Sequence, residues 1–497
     1  MTSPVMINKI DQANRLRDDI LKAFSNVPNT QALGVTVFGS EPKRTRNIFP
    51  HSESPPKCLE QEWLITLDSE MEQRKGGSVG QEGGMTVFAP REQTLNAHEN
   101  FIVDIPDPFS GPKPKVLVSA ISAHLYTFPP ASSSSSILYI SKVDSSGYSP
   151  SSPSLPLTKL LVQSVFSHFL NRCPLLRIQL FARAQRQYLF ANSADNKGKK
   201  VLGGAGLCKW WKGIYEDTAN TWALDNKSHN KDKNQYSLRL AFILPGYEEQ
   251  EAKTLLGAGR LPSEGLAWFY TPPFSTQAVP SSSTPSSLTT LIPSFPDDPK
   301  TRFLEELVAE NSCPPLPTDD KATEKTKKER EAAEDAHRRR FEHKVLQNVA
   351  AQDFWERMGF RQECASGDVT GFFTLESSPS SIEQDKKQVF APSFSPDNAL
   401  QEAASNPCLP QAIVSRLLTA LTNLDFANLQ LAIEGSSIWF TQTHSIVSGE
   451  IGETGWQQCI GRVEGKSHFK EDEETMKAIK REEVTILQPK KKKKTAK

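Results

Sequence analysis

Strand-like runs fill the early part of this 497-residue chain and commit it to a sheet before any long helix is met. The runs Leu33 to Phe38, Glu62 to Leu67, Gly84 to Phe88, Val116 to Thr127 and Ile137 to Ser141 are mostly rich in β-branched or aromatic residues, flanked by Gly, Pro or Ser. That composition suits pleated, half-buried segments. Polar, Gly- or Ser-rich stretches at 68–84 and 131–136 predict loops. At Leu157 the period changes, and Leu157, Leu160, Leu161, Val165, Phe166 and Phe169 share one side of a helix that runs to Leu170, with His168 in it as a structural histidine. Tyr236 to Pro245, Leu266 to Tyr270 and Phe372 to Leu375 return to strand. Pro410 opens a helix carrying Ile413, Leu417, Leu418, Leu421 and Leu424.

Composition narrows the class. There are 58 basic and 58 acidic side chains, so no global basicity points to nucleic acid and any charged partner must be read from local clusters. Eight Trp and 26 Phe suffice for a sizeable core, while 35 Pro predict long loops between core segments. Seven scattered cysteines form no Cys-x-x-Cys pair, so neither a disulfide framework nor a structural zinc site is signalled. Met1 to Arg15 has no secretory apolar core and 18 apolar residues never run together, which predicts a soluble intracellular protein without a membrane partner. Residues 1–470 are expected to form a single domain, with a charged insert at 319–348 and mobile loops at 68–84, 276–290 and 376–395. A charged, disordered tail follows at 471–497. Its Lys490 to Lys494 run fits a nuclear localisation signal, an acidic-partner tail or a solubilising terminus.

Two segments concentrate chemistry. In Phe295-Pro296-Asp297-Asp298-Pro299-Lys300-Thr301-Arg302-Phe303, two carboxylates, a lysine and an arginine stand on a turn fixed by two prolines. Pro299 suits a first helical turn, Asp298 can cap it, and Phe303, Leu304 and Leu307 follow at helical spacing. A decorated cap is the simplest reading; a place to move a proton is the other. The second segment interleaves aromatics and cations: Leu180-Phe181-Ala182-Arg183, Tyr188-Leu189-Phe190, Lys197 to Lys200, then Lys209-Trp210-Trp211. Such a mixture suits a ligand that is part anion and part apolar arm, although paired tryptophans are commonly core and the lysines could decorate a turn.

Taken together, these segments resemble the fungal Rtt-type histone lysine acetyltransferases. The resemblance rests on the 180–211 block, on Ile292-Pro293-x-Phe295-Pro296-Asp297-Asp298-Pro299-Lys300-x-Arg302-Phe303, and on Tyr139 to Tyr148 with Ser141-Lys142-x-Asp144. Weaker echoes stand at Phe354-Trp355 and Val484 to Leu487. The resemblance implies an α/β fold, a central mixed sheet enclosed by helices with long loop insertions, similar in architecture to the CREB-binding-protein coactivator acetyltransferases. It implies acetyl-CoA as cofactor, with contacts at Val143, Asp144 and Ser145, at Ser151, Ser152, Pro153, Ser154 and Leu155, at Phe181 and Gln185, at Lys200, Val201 and Leu202, and at Trp210. The 151–155 loop has no arginine, so phosphate contact is expected to lean on Lys199, Lys200 and Arg183.

A substrate lysine has a pKa of about 10.4 and must lose a proton before it attacks a thioester. Asp298, with Asp297 beside it, is the expected base, and Trp211 and Tyr188 are expected to position the amine. No cysteine stands in a matching motif, so direct attack needs no acyl-enzyme. In the family the lysine at the position of Lys300 is itself acetylated. The resemblance further implies histone H3 with its histone partner as substrate, histone chaperones of the anti-silencing and nucleosome-assembly-protein classes as partners, a nuclear location, no sequence-specific nucleic acid, and a role in replication-coupled chromatin assembly and genome stability. A non-catalytic histone-binding scaffold with the same fold stays open as the alternative. The general-control-related superfamily is disfavoured, because its full Arg/Gln-x-x-Gly-x-Gly/Ala loop is missing.

Overall fold

A computed structural model of the chain describes residues 12–27, 33–71, 113–128, 135–148, 156–173, 175–229, 236–261, 266–272, 288–315, 327–365, 367–379 and 408–463. Its strands are β1 (Leu33–Gly39), β2 (Lys43–Thr45), β3 (Cys58–Glu70), β4 (Lys115–Phe128), β5 (Ser135–Ser145), β6 (Leu175–Ala182), β7 (Tyr236–Ile243), β8 (Trp268–Tyr270), β9 (Gly371–Pro379) and β10 (Ile460–Arg462). They join in one mixed sheet of order β10-β1-β3-β4-β5-β6-β9-β7-β8, with β2 on β3. Most neighbours are antiparallel; β5 with β6 and β7 with β8 are parallel. A parallel pair needs a crossover, and helix α2 (Leu157–Arg172) supplies it between β5 and β6.

One face of the sheet is covered by α1 (Gln12–Ser25), α2, α3 (Gly204–His229) and α4 (Glu249–Leu256), whose apolar sides meet Val35, Ile121, Leu138, Ile178 and Phe373 in the main core. The other face is shared by two groups. Helices α5 (Leu288–Leu291), α6 (Pro299–Ala309), α7 (Lys327–Gln347), α8 (Ala351–Met358) and α9 (Gln362–Ala365) gather over Tyr126, Ile137, Tyr139 and Phe372. Helices α10 (Gln411–Thr422) and α11 (Leu429–Cys459, broken at Gly452 with φ 75°) cover Phe38, Leu64 and Ala120. Alternation along β5 makes this possible: Leu138 and Ile140 point into the main core, Ile137 and Tyr139 into the α5–α9 side.

The expected α/β fold, a mixed sheet enclosed by helices, is observed. Several expected loops are shorter than their sequence indicates. Residues 68–70 continue β3 by pairing with 115–117, Ser135 and Ser136 pair with Phe128 and Thr127, residues 376–379 belong to β9, and 288–290 open α5. Ladder hydrogen bonds override local polarity in the strand cases. His168 is buried with Nδ1 2.7 Å from Asp19 Oδ2, tying α2 to α1. The charged insert contributes α7, a mostly exposed helix. The strand expected at Gly84–Phe88, the 151–155 loop and the 471–497 tail lie outside the described residues. Among the described residues no helix is long and apolar enough to cross a membrane.

Candidate active site

The Phe295–Phe303 turn is built by its own side chains. Pro299 takes the first helical position of α6, and Asp298 caps the helix by accepting the Lys300 amide at 2.9 Å. Thr301 Oγ1 closes the turn from inside, accepting from Phe295 N at 2.9 Å and donating to Phe295 O at 3.0 Å. Asp297 is left-handed at φ 56°, a conformation that aspartate tolerates better than most side chains. Its side chain points outward and meets Lys142 Nζ of β5 at 3.5 Å. Thus the two neighbouring carboxylates separate, one to the surface and one inward.

Asp298 and Lys300 are 1% and 3% exposed, and Lys300 Nζ donates to Asp298 Oδ2. Both carboxylate oxygens are therefore engaged by the same residue. Burial pushes the Lys300 ammonium below its usual range, and the Asp298 charge opposes that shift. Aromatic rings enclose the amine: Nζ lies 4.4 Å from the Phe372 centroid and 5.6 Å from that of Phe295. Phe295 stacks on Tyr139 at 4.2 Å, and burial, with the Asp298 and Asp297 charges, pushes the Tyr139 phenol well above its usual range. A nook of about 10 Å³ beside Lys300 is lined by Gln179 and Thr374, register partners on β6 and β9. The Gln179 amide and the Thr374 hydroxyl find no hydrogen-bond partner among the described residues.

The aromatic–basic block is organised by Asp144 at the end of β5. Its Oδ2 accepts the amides of Tyr188, Leu189 and Phe190 at 2.8, 2.9 and 3.1 Å, and its Oδ1 takes Lys199 Nζ at 2.7 Å. Asp144 therefore positions the loop from within. Lys199 also donates to Ser193 Oγ at 2.7 Å, and its side chain is 8% exposed. Of the cations expected against phosphate, Lys200 is exposed and Arg183 half-buried, while Lys199 is committed to Asp144. Two loops cross here at close range. A Cβ at Gly147 (φ 86°) would meet the Lys199 backbone at 2.7 Å, and one at Gly198 would meet Gly147 O at 2.5 Å.

The other expected residues are placed as follows. Val143, Ser145 and Leu202 are half-buried, Gln185 and Val201 exposed. Phe181 stacks on Phe372 at 4.6 Å, so a chain of rings links it to Lys300. Trp210 is half-buried and packs edge-on against Trp211 at 4.8 Å; Trp211 is buried in the main core. The Tyr188 hydroxyl donates to Arg183 O and accepts from Gln185 N, which shapes the 183–188 turn. Burial pushes the Cys208 thiol up to about 12, an inert structural group. The structure thus joins residues 142–145, 188–190 and 196–199 through Asp144, and joins this cluster to Asp297 through Lys142. Ser151, Ser152, Pro153, Ser154 and Leu155 lie outside the described residues.

Sequence reasoning gave no site role to Lys142, named only within a motif, or to Gln179, Phe372 and Thr374. The last three reach the lysine through strand pairing between β6 and β9, which are remote in sequence. The available signal was a polar residue inside each apolar run, Gln179 between Ile178 and Leu180 and Thr374 between Phe373 and Leu375.

This arrangement defines the class of fold. The crystal structure of Rtt109 from Aspergillus fumigatus aligns with 91% of this chain and 99% of that one at a TM-score of 0.61 and 23% identity, a likeness of fold. The profile of the histone acetyltransferase KAT11-type domain matches residues 164–442, more than half of the sequence, and the chain belongs to that family. Similar curated proteins are histone acetyltransferase rtt109 of Aspergillus flavus, 29% identical over 54% of this chain and 46% of that protein, and its namesake in Schizosaccharomyces pombe, 29% identical over 48% and 52%. The chain spans about half the length of these relatives.

Proposed function

We propose that this protein is a histone lysine acetyltransferase that takes acetyl from acetyl-CoA and places it on a lysine of histone H3, in the nucleus and together with histone chaperones. The observation that carries this reading is the buried Lys300–Asp298 pair on a turn joined through Lys142 to the Asp144 loop. Family membership and the names of the relatives support it.

The residues suit acetyl-CoA. The Gly147–Gly198 crossing brings backbone close at the end of β5, exposed Lys200 and half-buried Arg183 offer charge to phosphates, and Val201 and Trp210 offer apolar surface. Bound there, the cofactor supplies an acetyl thioester.

The remaining chemistry belongs to side chains. Lys300 is a lysine whose burial favours the neutral, nucleophilic amine, and Asp298 Oδ2 is placed to take its proton. Acetylation of Lys300 would form the amide C–N bond as the thioester C–S bond breaks and CoA leaves as the thiol. The cation is removed, and Oδ2 is free once the proton it took from the lysine has passed to water. Asp298 can then accept the proton of an incoming substrate lysine, while Oδ1 keeps the helix capped. The two roles of Asp298 thus fall on different oxygens.

CoA release by the purified chain with histone H3–H4, with modified lysines mapped by mass spectrometry, tests the reading. Histone-dependent release is expected; its absence, with and without chaperone, sinks the enzyme reading.

A further inference from the structure

Phe295 has a second role. One side of it belongs to the Lys300 site, and it also walls a separate cavity of about 420 Å³ between the Thr45–Pro50 segment, strands β3 and β4, and the start of α6. That volume lies within the roughly 300–1,000 Å³ usual for ligand pockets. Among the described residues two carboxylates line it and no lysine or arginine does. Glu60 is inside, its side chain 16% exposed, with Oε1 held by the Tyr126 hydroxyl at 3.0 Å and by His124 Nδ1 at 3.2 Å. Burial would raise its carboxyl, but the interactions with His124, the Tyr126 hydrogen bond and the Lys43 charge leave it below the usual range. It is therefore an ionised, fixed acceptor. Glu305 of α6 is exposed, and its carboxylate has no ion-pair partner among the described residues. Ser294 Oγ, also on the lining, is buried without a hydrogen-bond partner among them. Ile48 and Pro296 add apolar wall suited to a methylene stem.

We infer that this cavity receives an arginine or lysine side chain of the protein substrate, flanking the acceptor lysine, with Glu60 and Glu305 as its charge partners. The inference rests on the acetyltransferase reading for what is done at Lys300, and it specifies which substrates reach that site. Charge complementarity commits the cavity to a cation: Glu60 stays ionised beside His124 and Lys43, Glu305 has no ion-pair partner among the described residues, and an acidic ligand would face two carboxylates. A long side chain can lay its stem on Pro296 and Phe295 while its head meets Glu60, which brings the peptide backbone to the edge of the Asp297–Asp298 turn.

The test uses the full chain and two fluorescein-labelled peptides, one with an arginine near its lysine and one with citrulline there. Fluorescence anisotropy without cofactor gives Kd, and CoA release gives kcat/KM. The arginine peptide is expected to be preferred by about tenfold or more in both, a preference of the size that a desolvated charge pair carries. Glu60→Gln with Glu305→Gln is expected to bring the ratio close to one; Glu305→Gln alone, at an exposed position, is expected to lower it partly and guards against misfolding of the double variant. A ratio taken within one protein does not depend on the folded fraction. An unchanged ratio in the variants, or no preference in the wild type, overturns the inference. Absence of CoA release from either peptide, with the anisotropy preference retained, would instead count against the acetyltransferase reading alone.

Discussion

Lys300 is held by the residue that caps its own helix: Asp298 Oδ1 accepts the Lys300 amide at 2.9 Å and Oδ2 accepts its ammonium, with both side chains buried. One carboxylate thus starts α6 and neutralises a buried cation. Removing either partner leaves the other in a low-dielectric site, where an unpaired charge costs several kcal/mol.

Asp298→Asn keeps an oxygen for the cap and removes the counter-charge. It is expected to lower stability by about 3 kcal/mol. In Lys300→Met, where the Asp298 carboxylate is left buried without its charge partner, the same Asp298 change is expected to be neutral or stabilising. Urea unfolding of the double-mutant cycle checks this; additive effects would show that the two side chains do not interact.

The Lys300 pKa is lowered by burial, with Asp298 acting in the opposite direction. Between the folded and unfolded values the folded chain binds fewer protons, so this group's contribution to stability rises with pH through that window. The neutral amine is also available at lower pH than in an exposed lysine. Acetylation of Lys300 by acetyl-CoA, followed by mass spectrometry across pH, is expected to rise with a midpoint below about 10.4, the ordinary lysine value. A midpoint at or above it would contradict this.

Asp144→Asn replaces the acceptor of three backbone amides and leaves Lys199 Nζ with Ser193 alone. A loss of about 3 kcal/mol is expected, together with acetyl-CoA binding weakened by about tenfold as the 188–199 loop loosens. Calorimetric titration and urea melts measure both. Wild-type affinity would mean that the loop keeps its shape without this anchor.

Asp68 sits on β3 against Gly34, 4% exposed, with Oδ1 unpartnered among the described residues. Burial is the main cause that pushes its carboxyl up to about 6. A folded pKa above the unfolded one means that the folded chain holds more protons between about pH 4 and 6, so stability falls as pH rises through that window. Asp68→Asn is expected to raise stability at pH 7.5 by up to about 3 kcal/mol, a gain that vanishes near pH 4. Thermal melts at the two pH values decide it.

Local chemistry made much of this legible in the sequence. The Asp298–Pro299 cap, the helix at Leu157 and the strands at 33, 62, 116 and 137 each follow from turn residues or periodicity within a short window. Asp144 stood among the expected cofactor contacts, yet its role as the anchor of three amides needs a loop that folds back from residues 188–190. Gln179 and Thr374 come together through the β6–β9 ladder, a long-range pairing that no local pattern encodes. Lys199 was readable as a cation but not as one already neutralised by Asp144.

The most direct measurement compares CoA release on histone H3–H4 by the wild type and by Asp298→Asn, with acetyl-CoA Kd determined for each. If Asp298 Oδ2 takes the substrate proton, kcat falls by about 100-fold or more, the range of a lost general base, while the cofactor Kd stays within about twofold. A variant that binds acetyl-CoA normally and acetylates histone at the wild-type rate would contradict the role assigned to this carboxylate.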